Sequence, residues 1–145
     1  MSETADPLAV ALFTELLACD QLARTRLHET LPKGMELSQF SVLNHLVRSG
    51  ERTPAQLAAA FSVTRGAMTN TIARIERAGW VHVRPDWDDA RRKWVGISPA
   101  GRAACDAAVA GMAPLLEGVL ADLGAERVRA ALPVLRALRV RLGEG

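Results

Sequence analysis

Between Thr53 and Arg102 the pattern of the chain changes period within a short span, and few folds accommodate the sequence of changes. TPAQLAAAF reads as a short helix, since Thr53 can cap it, Pro54 suits its first turn and Gln56 completes a capping box. Ser62-Val63 is a tight turn, with Val63 expected to point into the core. Thr64 then caps a further helix on which Met68, Ile72 and Ile75 make the buried stripe and which Gly79 ends. Trp80 to Arg84 alternates as a strand does, Pro85 to Arg92 is a polar loop, and Lys93 to Ile97 is the return strand. The expected fold class is mainly α with a small β-wing, a winged helix-turn-helix whose shape suits gripping duplex DNA.

The flanks are helical. A first helix runs from about Pro7 to His28, with Leu8, Leu12, Leu16, Cys19, Ala23 and Leu27 at spacings of three and four, and LPKG at 31–34 breaks it. Ser38 reads as the N-cap of a second helix, with Phe40, Leu43, Leu46 and Val47 on its buried face and Gly50 as its C-terminal cap. Ser98-Pro99 opens a long helix reaching Leu123, with Pro114 as an interior kink or weak turn. Gly124 separates a last helix over roughly 125–142 that contains Pro133. The terminal helices are too apolar for the surface of a small monomer, so a bundle shared by two subunits is expected. This gives one domain over 1–145, with a winged helix-turn-helix lobe at 38–98 and dimerisation helices at 7–30 and 99–143 joined to it as a helical dimerisation bundle.

Charge agrees with a nucleic-acid partner. The net charge of +2 divides unevenly: residues 48–102 hold ten Lys/Arg against five Asp/Glu, giving +5, and the remainder carries −3. The two cysteines lie far apart in helical text, the N-terminus is acidic, and no apolar run is expected to span a bilayer. A cytoplasmic protein without membrane contact is therefore expected.

Opposite the buried stripe of the helix after Thr64 lie Gly66, Asn70, Ala73 and Arg77, flanked by Arg65, Thr69 and Arg74. Small residues let the backbone approach base edges, Asn70 can pair bidentately with adenine, and Arg65 can take guanine or a phosphate. In the wing loop three acids precede three bases. Arg91 is expected to enter the minor groove, Asp89 to orient it, and Arg92 and Lys93 to meet phosphates. Trp80 and Trp94 suit packing at the base of the wing, and Trp87, at its tip, could touch a DNA sugar. The full expected DNA-binding set is Ser38, Thr53, Thr64, Arg65, Gly66, Ala67, Thr69, Asn70, Arg74, Arg77, Arg84, Asp89, Arg91, Arg92 and Lys93.

These motifs resemble the MarR (multiple antibiotic resistance regulator) family of winged-helix transcription factors, over nearly the whole chain. The family's recognition text, V-S-R-x-x-V-T-x-x-[IVL]-x-R-L-E-x-x-G, stands here as Val63-Thr64-Arg65, Met68-Thr69, Ile72, Arg74-Ile75-Glu76 and Gly79. Its wing pattern, D-x-R and then L-T-x-x-G-R, stands as Asp89-Ala90-Arg91 and Ile97-Ser98-Pro99-Ala100-Gly101-Arg102. Ser62 replaces a frequent Gly, Ala73 a common Asp, and Ser98 a Thr. The resemblance implies a homodimer, the first and last two helices forming its interface, that reads a palindromic operator, usually as a repressor. It also implies a small phenolic or aromatic acid as effector, bound between the bundle and the winged helix.

Cys19, Arg24, His45 and Arg48 form the expected ligand-binding set. Cys19 lies where the resemblance places the reactive thiol of peroxide-sensing relatives, but its helical position favours a small buried core residue, as does that of Cys105. His28, His45 and His82 are scattered without metal-ligand spacing. No phosphate loop or nucleophile motif is present, so no enzyme, metal or cofactor is expected. The alternatives are a thiol-based oxidant sensor through Cys19, or a helical dimer that binds a protein partner.

Overall fold

Residues 4–144 are described by a computed structural model. The elements run α1 (Pro7–Thr30), α2 (Leu37–Ser49), α3 (Pro54–Phe61), α4 (Arg65–Arg77), β1 (Val81–Pro85), β2 (Lys93–Ile97), α5 (Pro99–Leu123) and α6 (Ala125–Gly143). The strands pair antiparallel from Val81 opposite Ile97 to Pro85 opposite Lys93. A single bridge adds the segment before α3 to the same sheet: Arg52 N–H donates to Val95 O at 3.1 Å, and Val95 N–H donates to Arg52 O at 2.8 Å.

Local chemistry sets most helix ends. Thr53 Oγ1 accepts from Gln56 N–H at 3.1 Å while Gln56 Oε1 accepts from Thr53 N–H at 2.9 Å, so the capping box at α3 is reciprocal. Thr64 and Ser98 cap α4 and α5 through Ala67 N–H and Gly101 N–H. α2 departs from expectation. Its N-cap is Glu36, not Ser38, because Gln39 folds back and accepts from Glu36 N–H at 3.1 Å; Ser38 falls two residues later, inside the first turn, and stays exposed.

The turn between α3 and α4 explains a second departure. Ser62 adopts the left-handed conformation, φ 53°, and is the one non-glycine residue among those described that does so. Ser62 N–H and Val63 N–H reach back to Ala59 O and Ala58 O, which closes α3. The chain then turns away from the core, so Val63 is not a core residue: it is 43 % exposed and lines the gap between α1 and α4.

The core lies under the winged lobe. Val42, Leu43 and Leu46 of α2, Leu57 of α3, Met68, Ile72 and Ile75 of α4, Val81 and Val95 of the strands, and Cys105 and Ala108 of α5 form one buried cluster. The first half of α5 is thus part of this core rather than of the bundle alone. Gly101 makes that possible, since a Cβ there would stand 1.9 Å from Trp80 O.

Beyond the lobe the helices are bare. No residue of α1 or α6 is buried, and Leu8, Leu17, Leu22, Leu120 and Leu135 are exposed. Cys19, expected in a core, is exposed because none of the described residues covers that face of α1; Cys105 is buried, and desolvation raises its thiol pKa. One expectation about composition is also corrected: α5 is long and apolar enough to cross a membrane, by length and composition alone. Gly101, Cys105, Ala108 and Met112, as far as its middle, are buried, whereas Leu116, Val119, Leu120 and Leu123 of its second half are exposed.

Candidate nucleic-acid interface

α4 is fixed by its apolar stripe, which leaves the other side in solvent. Arg65, Gly66, Ala67, Thr69, Asn70, Arg74 and Arg77 are exposed, and Ala73 is half-buried at the edge of the stripe. Thr64 is spent on capping, so its hydroxyl accepts within the helix while the end itself stays open to an anion.

The helix does not stand alone. Thr53, Pro54 and Ala55 at the start of α3, Arg65 and Thr69 of α4, and Asp89, Arg91, Arg92 and Lys93 of the wing line one open cleft of about 420 Å³. Four cations face one carboxylate there, and that carboxylate is engaged: Arg91 N–H and Nε donate to Asp89 Oδ1 at 3.0 and 3.4 Å. The Arg91 side chain is still 94 % exposed, so the pair orients the guanidinium without covering it. Pro54 and Ala55 escaped the sequence reading. Their signal was positional, at the first turn of the helix preceding the recognition turn.

The rest of the loop is braced by Asp86. Its Oδ1 accepts from Asp88 N–H at 2.8 Å and Asp89 N–H at 3.3 Å, and its Oδ2 accepts from Trp94 Nε1 at 2.9 Å. These donors, the Asp88 amide first and the Trp94 indole second, hold the carboxyl below its usual range. Asp86 N–H also donates to Arg92 O at 3.0 Å, closing the loop. Trp87 projects from it, 93 % exposed.

Some expected contact residues have other partners. Arg84 Nη2 lies 2.6 Å from Glu51 Oε2, and its guanidinium stands 6.0 Å from the Trp94 ring centroid. Hydrogen bonding from Arg84 pulls the Glu51 carboxyl below its ordinary value, and His82 Nε2 is 3.9 Å from the same carboxylate. Arg84 therefore ties the wing to the α2–α3 connection. Arg74 Nη1 lies 3.2 Å from Glu36 Oε1, joining α4 to the start of α2. Thr53 lines the cleft, but its hydroxyl is occupied by Gln56 and the residue is buried.

Ser38 lies on the other side of α4. With Arg24, Ser41, Val42, Phe61, Val63, Ala67, Met68 and Thr71 it lines a cavity of about 270 Å³ between α1, α2 and the recognition helix. Of the four expected ligand-binding residues only Arg24 lines it, with Nε held 3.0 Å from Asp20 Oδ1. His45 packs edge-on against Phe61 with ring centroids 5.5 Å apart, and neither Arg48 nor Cys19 reaches the cavity lining.

Residues 33–92, from the approach to α2 through the wing loop and short of β2, match the family model described as MarR family. The multiple antibiotic resistance protein MarR of Salmonella typhimurium is 33 % identical over 75 residues, 52 % of this chain and 52 % of that one; the match thus spans about half the length of this curated relative. Among solved structures, a MarR variant from E. coli in complex with operator DNA superposes with a TM-score of 0.80 at 25 % identity, over 92 % of this chain and 99 % of that one. The transcriptional regulator BldR from Sulfolobus solfataricus gives a TM-score of 0.84 at 23 % identity, over 94 % and 99 %, a likeness of fold.

Proposed function

We propose that the chain is a MarR-family, sequence-specific transcriptional regulator that binds operator DNA as a homodimer in the cytoplasm; the family match over residues 33–92 and the likeness to operator-bound MarR support this reading. The observation that carries this reading is the cleft in which Arg65 and Thr69 of α4 meet Arg91, Arg92 and Lys93 of the wing. A helix with an exposed polar face fits the major groove, and a wing bearing an oriented arginine fits the adjacent minor groove. Arg65, Thr69 and Asn70 would read base edges, with Gly66 and Ala67 allowing close approach. Arg92 and Lys93 would hold phosphate, which positions the protein without reading sequence.

A single lobe offers a small footprint. The uncovered faces of α1, α5 and α6, with Leu120, Leu123, Leu132 and Leu135 in solvent, support a dimer that buries them. Two-fold pairing of the lobes would then select half-sites about one helical turn apart. Repression follows if such a site overlaps a promoter.

The cavity beside α4 supports a small-molecule effector. Its walls are partly apolar, from Val42, Phe61, Val63 and Met68, and it holds one guanidinium, Arg24. That chemistry suits a compact aromatic carboxylate. Because Ala67, Met68 and Thr71 belong to the recognition helix, a molecule seated there would shift the helix relative to α1 and so favour the conformation that fits DNA less well.

The test is selection of duplexes from a random pool by the protein, then anisotropy of an enriched duplex and a scrambled control over a range of salt. Selective binding that weakens steeply with salt is the expected result. Equal, weak binding to both would refute the reading. Addition of hydroxybenzoates to the complex tests the effector; Arg24→Ala should abolish any release they cause.

A further inference from the structure

The wing tip carries a large aromatic side chain, read from the sequence as able to touch a DNA sugar, to which the proposed function assigns no role. Trp80 and Trp94 are half-buried at the base of the wing, whereas Trp87 is 93 % exposed. An exposed indole is free surface that gains on burial against a partner. The apolar faces awaiting a second copy lie on α1, α5 and α6, not on the wing.

Two features identify what covers it. The first is charge. Trp87 shares its loop with Arg91, whose guanidinium is 94 % exposed, and the loop continues into Arg92 and Lys93. Of the loop acids, Asp86 is saturated by the Asp88 and Asp89 amides and the Trp94 indole, and Asp89 is engaged by Arg91. Asp88 is the one loop carboxylate without a side-chain partner among the described residues. The second feature is rigidity: hydrogen bonds through Asp86 and from Arg92 N–H to Asp89 O hold the loop in one shape. An aromatic side chain on a pre-shaped support binds with little ordering cost.

We infer that Trp87 is a DNA-contact residue, its indole lying against the deoxyribose wall of the minor groove beside the groove-bound Arg91. This rests on the proposed DNA-binding function. Sugar walls are alike for every base pair, so Trp87 adds affinity without sequence preference. The contact is apolar and displaces no counterion from phosphate.

The test uses the enriched and scrambled duplexes with full-length wild type, Trp87→Ala, Trp87→Phe and Arg91→Ala. Because residue 87 is exposed, the variants should melt as wild type does. Trp87→Ala should bind both duplexes about tenfold more weakly, the loss for returning ~60 Å² of apolar surface to water. The slope of log affinity against log salt should not change, and Trp87→Phe should recover most of the loss. Arg91→Ala should instead flatten the slope. The wild-type emission should shift blue on DNA by a component missing from Trp87→Phe. If Trp87→Ala binds as wild type while Arg91→Ala is weakened, the Trp87 contact is wrong and the regulator reading stands. A flattened slope for Trp87→Ala would likewise overturn the contact, since the loop's cations would then have moved. If wild type enriches no duplex, both readings fall together.

Discussion

Arg84 and Glu51, 33 residues apart in sequence, meet at 2.6 Å across the base of the wing. The backbone bridge between Arg52 and Val95 lies beside them, so the wing is joined to the α2–α3 connection by both main chain and side chain. The angle between the wing and α4 depends on that joint.

Replacing Glu51 with Gln should weaken the joint. The pair is half-exposed, so the stability loss should be modest, about 0.5–1 kcal/mol, with a few-fold loss of DNA affinity. The pH dependence has a definite sign. Arg84 lowers the Glu51 carboxyl from its ordinary value of 4.5, so the contribution is complete above that value and fades as pH falls through the lowered one. Urea midpoints of wild type and Glu51→Gln should differ at pH 7 and converge once the pH has fallen below the lowered Glu51 value. A gap that persists in acid would show that Glu51 acts by packing rather than charge.

Arg91 and Asp89 should separate contact from orientation. Arg91→Ala should reduce the salt slope by about one for each wing that reaches DNA and lower affinity by an order of magnitude or more. Asp89→Ala leaves the cation in place but releases it, so affinity should fall less and the slope should hold. Anisotropy titrations over a range of salt distinguish the two. Identical slopes for wild type and Arg91→Ala would remove Arg91 from the interface.

Gly101→Ala should be among the most damaging single substitutions in the chain. The added Cβ would sit 1.9 Å from Trp80 O, a backbone atom that also accepts from Ser98 N–H at 2.9 Å and so cannot give way cheaply. A loss of about 3 kcal/mol or more is expected, seen as a large fall in melting temperature or as insoluble protein. A melt within a degree or two of wild type would mean that α5 can slide off the wing lobe.

Leu135→Asp tests the shared bundle. Leu135 is exposed and lines an apolar crevice with Leu16, Leu138 and Leu142. A carboxylate there should leave the lobe folded and split the proposed dimer, read as a monomer mass in sedimentation and a salt slope near half that of wild type. A wild-type protein that sediments as a monomer at all concentrations would refute the shared bundle.

What was legible in the sequence was mostly local. Thr53 with Gln56, Thr64 and Ser98-Pro99 announce their helices within four residues, and the alternation of the strands needs no partner to be seen. The cap of α2 was missed because Ser38 has the usual cap chemistry and Glu36 does not, while the deciding contact comes from the Gln39 side chain. Val63 looked like a core residue until the left-handed turn at Ser62 redirected it. The partners of Arg74 and Arg84 lie 38 and 33 residues away, beyond any local pattern. Cys19 and the leucines of α1 looked buried because their spacing is that of a packed helix, yet among the described residues none covers that face.

The bracing of the wing loop by Asp86 has a consequence for how such a protein can change. The amides of residues 88 and 89 and the Trp94 indole carry the loop's shape, and the residue 87 side chain takes no part in it. Position 87 is therefore an interchangeable tip on a fixed mount. One codon change could lengthen, shorten or recharge what the wing presents, and so tune the strength of its contact, without disturbing the hydrogen bonds that shape the loop.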